Sequence, residues 1–114
     1  MNQLNLQITG RHIEITEPIR DYVHQKFSKL FRHFDQITSS HVILEVQGKD
    51  HEAEAKLEIS GAQVFAKTKH SNMYAALDLL TDKLDRQLLK YKEKLKNHSG
   101  QKLVITDQDE PEDI

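Results

Sequence analysis

SNMYAALDLLTDKLDRQLLKYKEKLKNH, residues 71–98, is the stretch on which the fold turns. Leu77, Leu80, Leu84, Leu88, Tyr91 and Leu95 follow one another at spacings of three, four, four, three and four. At about 100° per residue they fall in a stripe about 60° wide, so the stretch reads as one long amphipathic helix. Lys83, Arg86, Lys90 and Lys94 recur at three, four and four and form a second stripe, roughly opposite the first. Asp78, Asp82, Asp85 and Glu93 fill a third sector beside it. A helix that needs only solubility mixes its signs; this one sorts them. It buries one edge and offers a basic edge to something anionic. Ser71 or Asn72 caps its start, and Asn97 to Gly100 end it.

A helix of this length frays in water unless its apolar edge is covered, so the rest of the chain must supply a surface. Five leucines at about 2 kcal/mol gross each contribute roughly 10 kcal/mol before entropy is subtracted. Upstream, Leu4, Leu6 and Ile8 alternate with Asn5, Gln7 and Thr9, the pattern of a half-buried strand. Gly10-Arg11-His12 turns the chain. Thr16 is a good N-cap, with Glu17 and Pro18 in the first turn, and the helix it opens runs to about His33. Ile19, Val23, Phe27, Leu30 and Phe34 form its buried stripe, flanked by Tyr22, Lys26, Lys29 and His33. Thr38-Ser39-Ser40 reads as a loop after it.

Three alternating runs follow: His41–Gln47, His51–Ser60 and Ala62–Lys69, with turns at Gly48-Lys49-Asp50 and Ser60-Gly61. The order is therefore strand, helix, three strands, helix. We expect an α+β fold, a four-stranded mixed sheet with both helices on one face, similar in layout to double-stranded-RNA-binding domains. Strands one and two should be parallel through a right-handed crossover, and the others antiparallel hairpins.

The 114 residues suit one domain: residues 1–100 as the folded unit, and 101–114 as an acidic, disordered tail in which Leu103-Val104-Ile105 is a candidate for local docking. The net charge of −2 averages two unlike parts. The tail carries Asp107, Asp109, Glu110, Glu112 and Asp113 against Lys102, which leaves the body at +2, with all seven histidines in it. A basic body with an acidic end points to nucleic acid. There is no cysteine, which fits a reducing cytosol. No apolar run is long enough to span a membrane, and the N-terminus lacks the pattern of a signal peptide.

No catalytic constellation stands out. The four glycines are isolated at turns, with no phosphate loop, no zinc-type His-Glu-x-x-His and no nucleophile elbow. The histidines are scattered at element ends, so we expect no metal, cofactor or small-molecule substrate. Glu52, Glu54 and Glu58 face outward on one strand and read as a solvated, charge-guarded face rather than an acid–base pair. Ile43 and Phe65 also face outward and read as a packing pair. The chemistry therefore rests on Lys26 and Lys29 of the first helix and Lys83, Arg86, Lys90 and Lys94 of the second. Ordinary solvated faces would also be lysine-rich. The sorting of signs and its repetition on both helices favour a phosphate-binding surface. Without an aromatic platform, structured RNA read by shape is favoured over stacked single strands.

Five stretches together carry a family likeness. Asn72-Met73-Tyr74-Ala75-Ala76-Leu77-Asp78 and the run Asp82 to Lys94 closely resemble the signature helix of the bacterial ribosome hibernation promoting factors. Leu6-Gln7-Ile8-Thr9-Gly10, Glu14 to Arg20 and Lys26-Phe27-Ser28-Lys29-Leu30 resemble the same family's opening. The resemblance covers residues 2–98. It implies the fold just derived and a cytoplasmic, non-enzymatic protein that is a monomer off the ribosome. It also implies binding to the small ribosomal subunit and its rRNA, and to whole ribosomes, in the mRNA and tRNA channel at the decoding centre. Occupancy then inhibits translation and stores idle ribosomes in stationary phase or stress. The family's RNA contacts map onto Lys26, Lys29, Lys83, Arg86, Lys90 and Lys94; Arg20 and Lys92 lie off both stripes. Asn72 stands where relatives usually carry Asp, and Tyr91 where histidine is common. Short promoting factors end near residue 98 and favour pairing of ribosomes, whereas the related inhibitor has an acidic extension that opposes it. This chain joins a promoting-type body to an acidic tail, so promotion of ribosome dimers is left open. The competing reading is a general double-stranded RNA-binding module. Such modules present a lysine cluster at the start of the last helix, and Ser71-Asn72-Met73 has none.

Overall fold

In the computed structural model the described residues are 5–97 and 103–105, with side chains described for 5–93. The elements are β1 (Leu6–Arg11), α1 (Glu17–His33), β2 (Ile37–Gln47), β3 (Asp50–Ile59), β4 (Ala62–His70), α2 (Met73–Asn97) and β5 (Leu103–Ile105). They form one sheet in the order β1-β2-β3-β4-β5. The β1–β2 pair is parallel, and β2–β3 and β3–β4 are antiparallel, as expected from a helical crossover followed by two hairpins. Gly48 and Gly61 make the hairpin turns at φ +61° and +81°.

Both helices lie on one face of the sheet. Val23, Phe27, Leu30 and Phe34 of α1 and its C-cap meet Leu77, Leu80, Leu84, Leu88 and Tyr91 of α2 over Val42, Leu44, Ala55, Leu57, Val64 and Ala66. The small Ala53, Ala55 and Ala66 let the helices sit close to the strands. Thr16 Oγ1 accepts from the Ile19 amide at 3.4 Å, the capping bond expected of it. Asn72, rather than Ser71, caps α2: its side-chain oxygen accepts from the Tyr74 and Ala75 amides at 2.8 and 3.2 Å. Tyr91 uses its hydroxyl to donate to the Ser60 carbonyl at 2.7 Å, tying the far end of α2 to the β3–β4 turn. The side chains of Leu95 and Lys94, like Leu4 and Gly100, lie outside the described residues.

Four features differ from the sequence reading. β1 continues through Gly10 and Arg11, so the turn expected over Gly10-Arg11-His12 begins only at His12 (φ 65°). Gly10 is needed for space: a Cβ there would stand 2.6 Å from the Ile13 carbonyl oxygen and 2.9 Å from Ile15 Cδ1. Thr38-Ser39-Ser40 is strand, because Ser40 takes an inward position of β2 opposite Leu57. Ile43 and Phe65 do not pack together, since β3 separates their strands and they face Glu54 and Lys56. The four-stranded sheet gains a fifth strand, as Leu103–Ile105 pairs in parallel with Ala62–Val64.

Gln87 is fully buried in α2, and neither atom of its amide has a hydrogen-bond partner. A buried amide without partners is destabilising by about 1–3 kcal/mol. Gln87→Leu should therefore raise stability by about 1–2 kcal/mol, read as a higher urea midpoint with an unchanged slope.

Candidate nucleic-acid interface

Helix α2 presents its two charge sectors to different neighbours. The acidic sector looks across to α1, and the basic stripe runs beside the edge of β4. The stripe is thus a flank of the core edge and does not lie on the crest of the helix. Asp82 lines the grooves on both sides and so marks the ridge between them.

The groove between the helices is lined by Lys26, Lys29 and His33 from α1 and by Thr81, Asp82 and Asp85 from α2. Lys26 is half-buried, with Nζ 3.1 Å from Asp78 Oδ1 and 5.9 Å from the centre of the Tyr22 ring. Tyr22 donates its hydroxyl proton to the same carboxylate at 2.6 Å. His33 Nδ1 stands 3.7 Å from Asp85. Lys29 is exposed. The α1 stripe is therefore interleaved with carboxylates, which the helical wheel of α1 alone could not show.

The Tyr22 hydrogen bond, and after it the Lys26 ammonium, hold the Asp78 carboxyl below its ordinary value, against the opposing effect of burial. The same bond, with burial and the Asp78 charge, pushes the Tyr22 phenol up. Asp78 thus adds stability above its unfolded pKa, about 4, and that stability is lost as pH falls through the lower folded value. Tyr22 adds stability in full below about pH 10, and it is lost as pH rises through the higher folded value. Tyr22→Phe should flatten both limbs of a stability–pH curve while lowering the plateau by about 1 kcal/mol or less, because Asp78 is half-exposed. Urea unfolding from pH 2 to pH 11 checks this.

The second groove, about 450 Å³, lies between β4 and α2. Lys67, Thr68 and Lys69 line one wall, and Leu79, Asp82, Lys83 and Arg86 the other. Lys83 is half-buried and donates through Nζ to the Lys67 carbonyl at 3.3 Å, which fixes the helix against the strand. Arg86 is exposed. One turn on, Lys90 is half-buried; its ammonium is covered and has no hydrogen-bond partner. Lys67 Nζ also lies 3.6 Å from Glu52, and Lys69 Nζ 3.9 Å from Glu52 and 4.0 Å from Asp50. Such exposed pairs are weak and leave the lysines able to exchange partners.

Lys67 and Lys69 are the cations that the sequence reading missed. Lys67 lies on the open sheet face, opposite Glu54 and beside Glu52. The place of Lys67 and Lys69 on the last long strand, beside α2, brings them to the groove. The open face of the sheet, to which Lys67 and Lys69 belong, also carries Glu52, Glu54 and Glu58, so its charges are mixed. Among the described residues no three His, Asp or Glu side chains gather in a way that could hold a metal ion. Among the same residues no helix is long and apolar enough to cross a membrane.

The chain and its fold have known relatives. The family described as sigma 54 modulation protein / S30EA ribosomal protein matches residues 6–96. The ribosome hibernation promoting factor of Azotobacter vinelandii is 49% identical over 100 residues, covering 87% of this chain and 94% of that protein. The chain belongs to the ribosome hibernation promoting factor family. The Escherichia coli K12 member is 45% identical over 95 residues, which cover 83% of this chain and all of that one. Among solved structures, a ribosomal subunit interface protein from Coxiella burnetii superposes with a TM-score of 0.74 at 28% identity, covering 77% of this chain and 97% of that one. The N-terminal domain of Thermus thermophilus Protein Y superposes with a TM-score of 0.71 at 34% identity, covering 80% and 99%. The family match reaches residue 96, so its members share the body and both helices described above.

Proposed function

We propose that this chain is a cytoplasmic ribosome hibernation factor that binds the small ribosomal subunit in the mRNA and tRNA channel at the decoding centre. Residues 1–100 carry the binding. Lys29, Arg86 and Lys83 meet rRNA phosphates, joined by Lys26, Lys90 and Lys94 from the same two helices and by Lys67 and Lys69 from β4. Lys26 leaves Asp78, and Lys90 turns its covered ammonium outward, when phosphate replaces their present surroundings. Translation stops because the channel is occupied. No bond is made or broken, and no cofactor takes part.

The observation that carries this reading is the family match across residues 6–96 together with a groove whose walls hold Lys67, Lys69, Lys83 and Arg86. Several positive charges spaced along a rigid helix and strand suit the phosphates of folded RNA, whose grooves are recognised by shape. Purified chain should co-sediment with small subunits and with whole ribosomes, and the binding constant should fall steeply as salt rises. Equal binding to any RNA duplex, with no preference for ribosomes, would instead make the chain a general double-stranded RNA-binding module.

A further inference from the structure

The sequence carries no run of aromatic residues, yet folding sets two rings side by side near the start of each helix. Tyr22 of α1 and Tyr74 of α2 meet edge to face, with ring centres 4.9 Å apart. Lys26 and Asp78 follow one helical turn after them, so two i, i+4 pairs face each other across the helices. Asp78 ties the four residues together. Its Oδ1 accepts the Tyr22 hydroxyl at 2.6 Å and stands 3.1 Å from the Lys26 ammonium. Tyr74 is also held from its own side, because its amide donates to the capping Asn72 at 2.8 Å. Despite these ties, Tyr74 is the exposed aromatic among the described residues, at 39%. An edge-to-face neighbour covers one face of a ring at most. Tyr74 therefore offers a flat apolar surface in a held orientation, next to the groove that Lys26 and Lys29 line.

We propose that Tyr74 stacks on one unpaired base of the RNA, while the cations of the adjoining groove meet the phosphates beside it. The inference rests on reading the two helices as an RNA interface, and it adds a contact that does not depend on charge. Three observations favour a base as the occupant. The surface is aromatic and pre-set, and every base has a π-face to lay on it. Asp78, one turn away, repels a phosphate but accepts the N–H groups that base edges carry. A cationic side chain of a protein would also suit a ring beside a carboxylate, but Lys26 already stands there, 5.9 Å from the centre of the Tyr22 ring. One exposed ring takes one base, not a run of them. A base free to stack lies in a loop, a bulge or a single strand. Phosphate contacts thus hold the chain on folded RNA, and Tyr74 fixes its register there by picking out an unstacked base.

The test uses Tyr74→Leu, which keeps an apolar side chain against Tyr22 but removes the ring, and Tyr74→Phe, which restores the ring. Sedimentation with small ribosomal subunits should show Tyr74→Leu binding about tenfold more weakly. Its slope of log affinity against log salt should match the parent's, since no phosphate contact is lost. Tyr74→Phe should regain the affinity. Parental binding by a folded Tyr74→Leu, or a loss that Tyr74→Phe does not restore, would overturn the proposal. A second measurement needs no ribosome. Single-stranded tetra-adenylate added to the full chain at low salt should move the Tyr74 ring protons upfield in NMR, through the ring current of the stacked base. Those of the buried Tyr91 should stay in place. A defect of Tyr74→Leu on subunits without that shift would assign the ring to a ribosomal protein and overturn the base as its occupant. If the shift appears but the full chain does not bind subunits, the ribosome reading fails and the stacking site stands.

Discussion

Lys29→Glu combined with Arg86→Glu is expected to weaken binding to small ribosomal subunits by about a hundredfold at low salt, and to lower the slope of log affinity against log salt by about 2. Among the described residues, Lys29 and Arg86 are the exposed lysine and arginine of the two stripes, one on each helix, and neither is part of the buried core. Each reversal removes one phosphate contact and adds a repulsion. Lys26 and Lys83 are poorer choices, since one holds Asp78 and the other the Lys67 carbonyl, so their loss would disturb packing as well. The thermal midpoint of the double variant should stay within a few degrees of the parent, because exposed charges contribute little to stability. Sedimentation at several salt concentrations, with a melting curve beside it, separates the two effects. Parental binding by a folded double variant would contradict the basic-flank mechanism.

Leu84→Ala should cost about 3 kcal/mol of stability and should lower the thermal midpoint by roughly 15 °C. Leu84 is completely buried at the middle of α2, within the cluster that joins the helix to the sheet. Truncation to alanine removes the transfer energy of the side chain and leaves a cavity that rigid strands cannot close. The effect reaches the interface. Lys83 and Arg86 are positioned by the helix, and Lys83 is locked to β4 through the Lys67 carbonyl. A looser α2 should therefore lose RNA affinity near its own midpoint, well above the temperatures at which Lys29→Glu with Arg86→Glu already fails. Calorimetry and binding at two temperatures distinguish them.

The helical parts of the fold were legible because a buried edge leaves a period of 3.6 in the sequence, and Leu77 to Tyr91 keep it without a break. The strands were legible where apolar and polar residues alternate, as in β3. Ser40 hid the start of β2, because a small polar residue at an inward position looks like loop chemistry until the strand it faces is known. Leu103-Val104-Ile105 was visible as an apolar burst, but three residues cannot announce a parallel pairing; that depends on the free edge of β4. The candidate site was legible one element at a time. The wheel of α2 separated Lys83, Arg86 and Lys90 from Asp78, Asp82 and Asp85. It could not say that α1 would come to lie against the acidic sector and place Lys26 on Asp78. Nor could it bring Lys67 and Lys69 to the basic side, because that proximity belongs to the packing of α2 beside β4.

The most direct measurement is a cryo-electron microscopy map of the small subunit mixed with the full chain. The account expects density for the four long strands and two helices in the mRNA and tRNA channel, with the Lys83–Arg86 flank of α2 and Lys29 of α1 against rRNA phosphates. Density at another site on the subunit, or a channel left open at saturating protein, would contradict it.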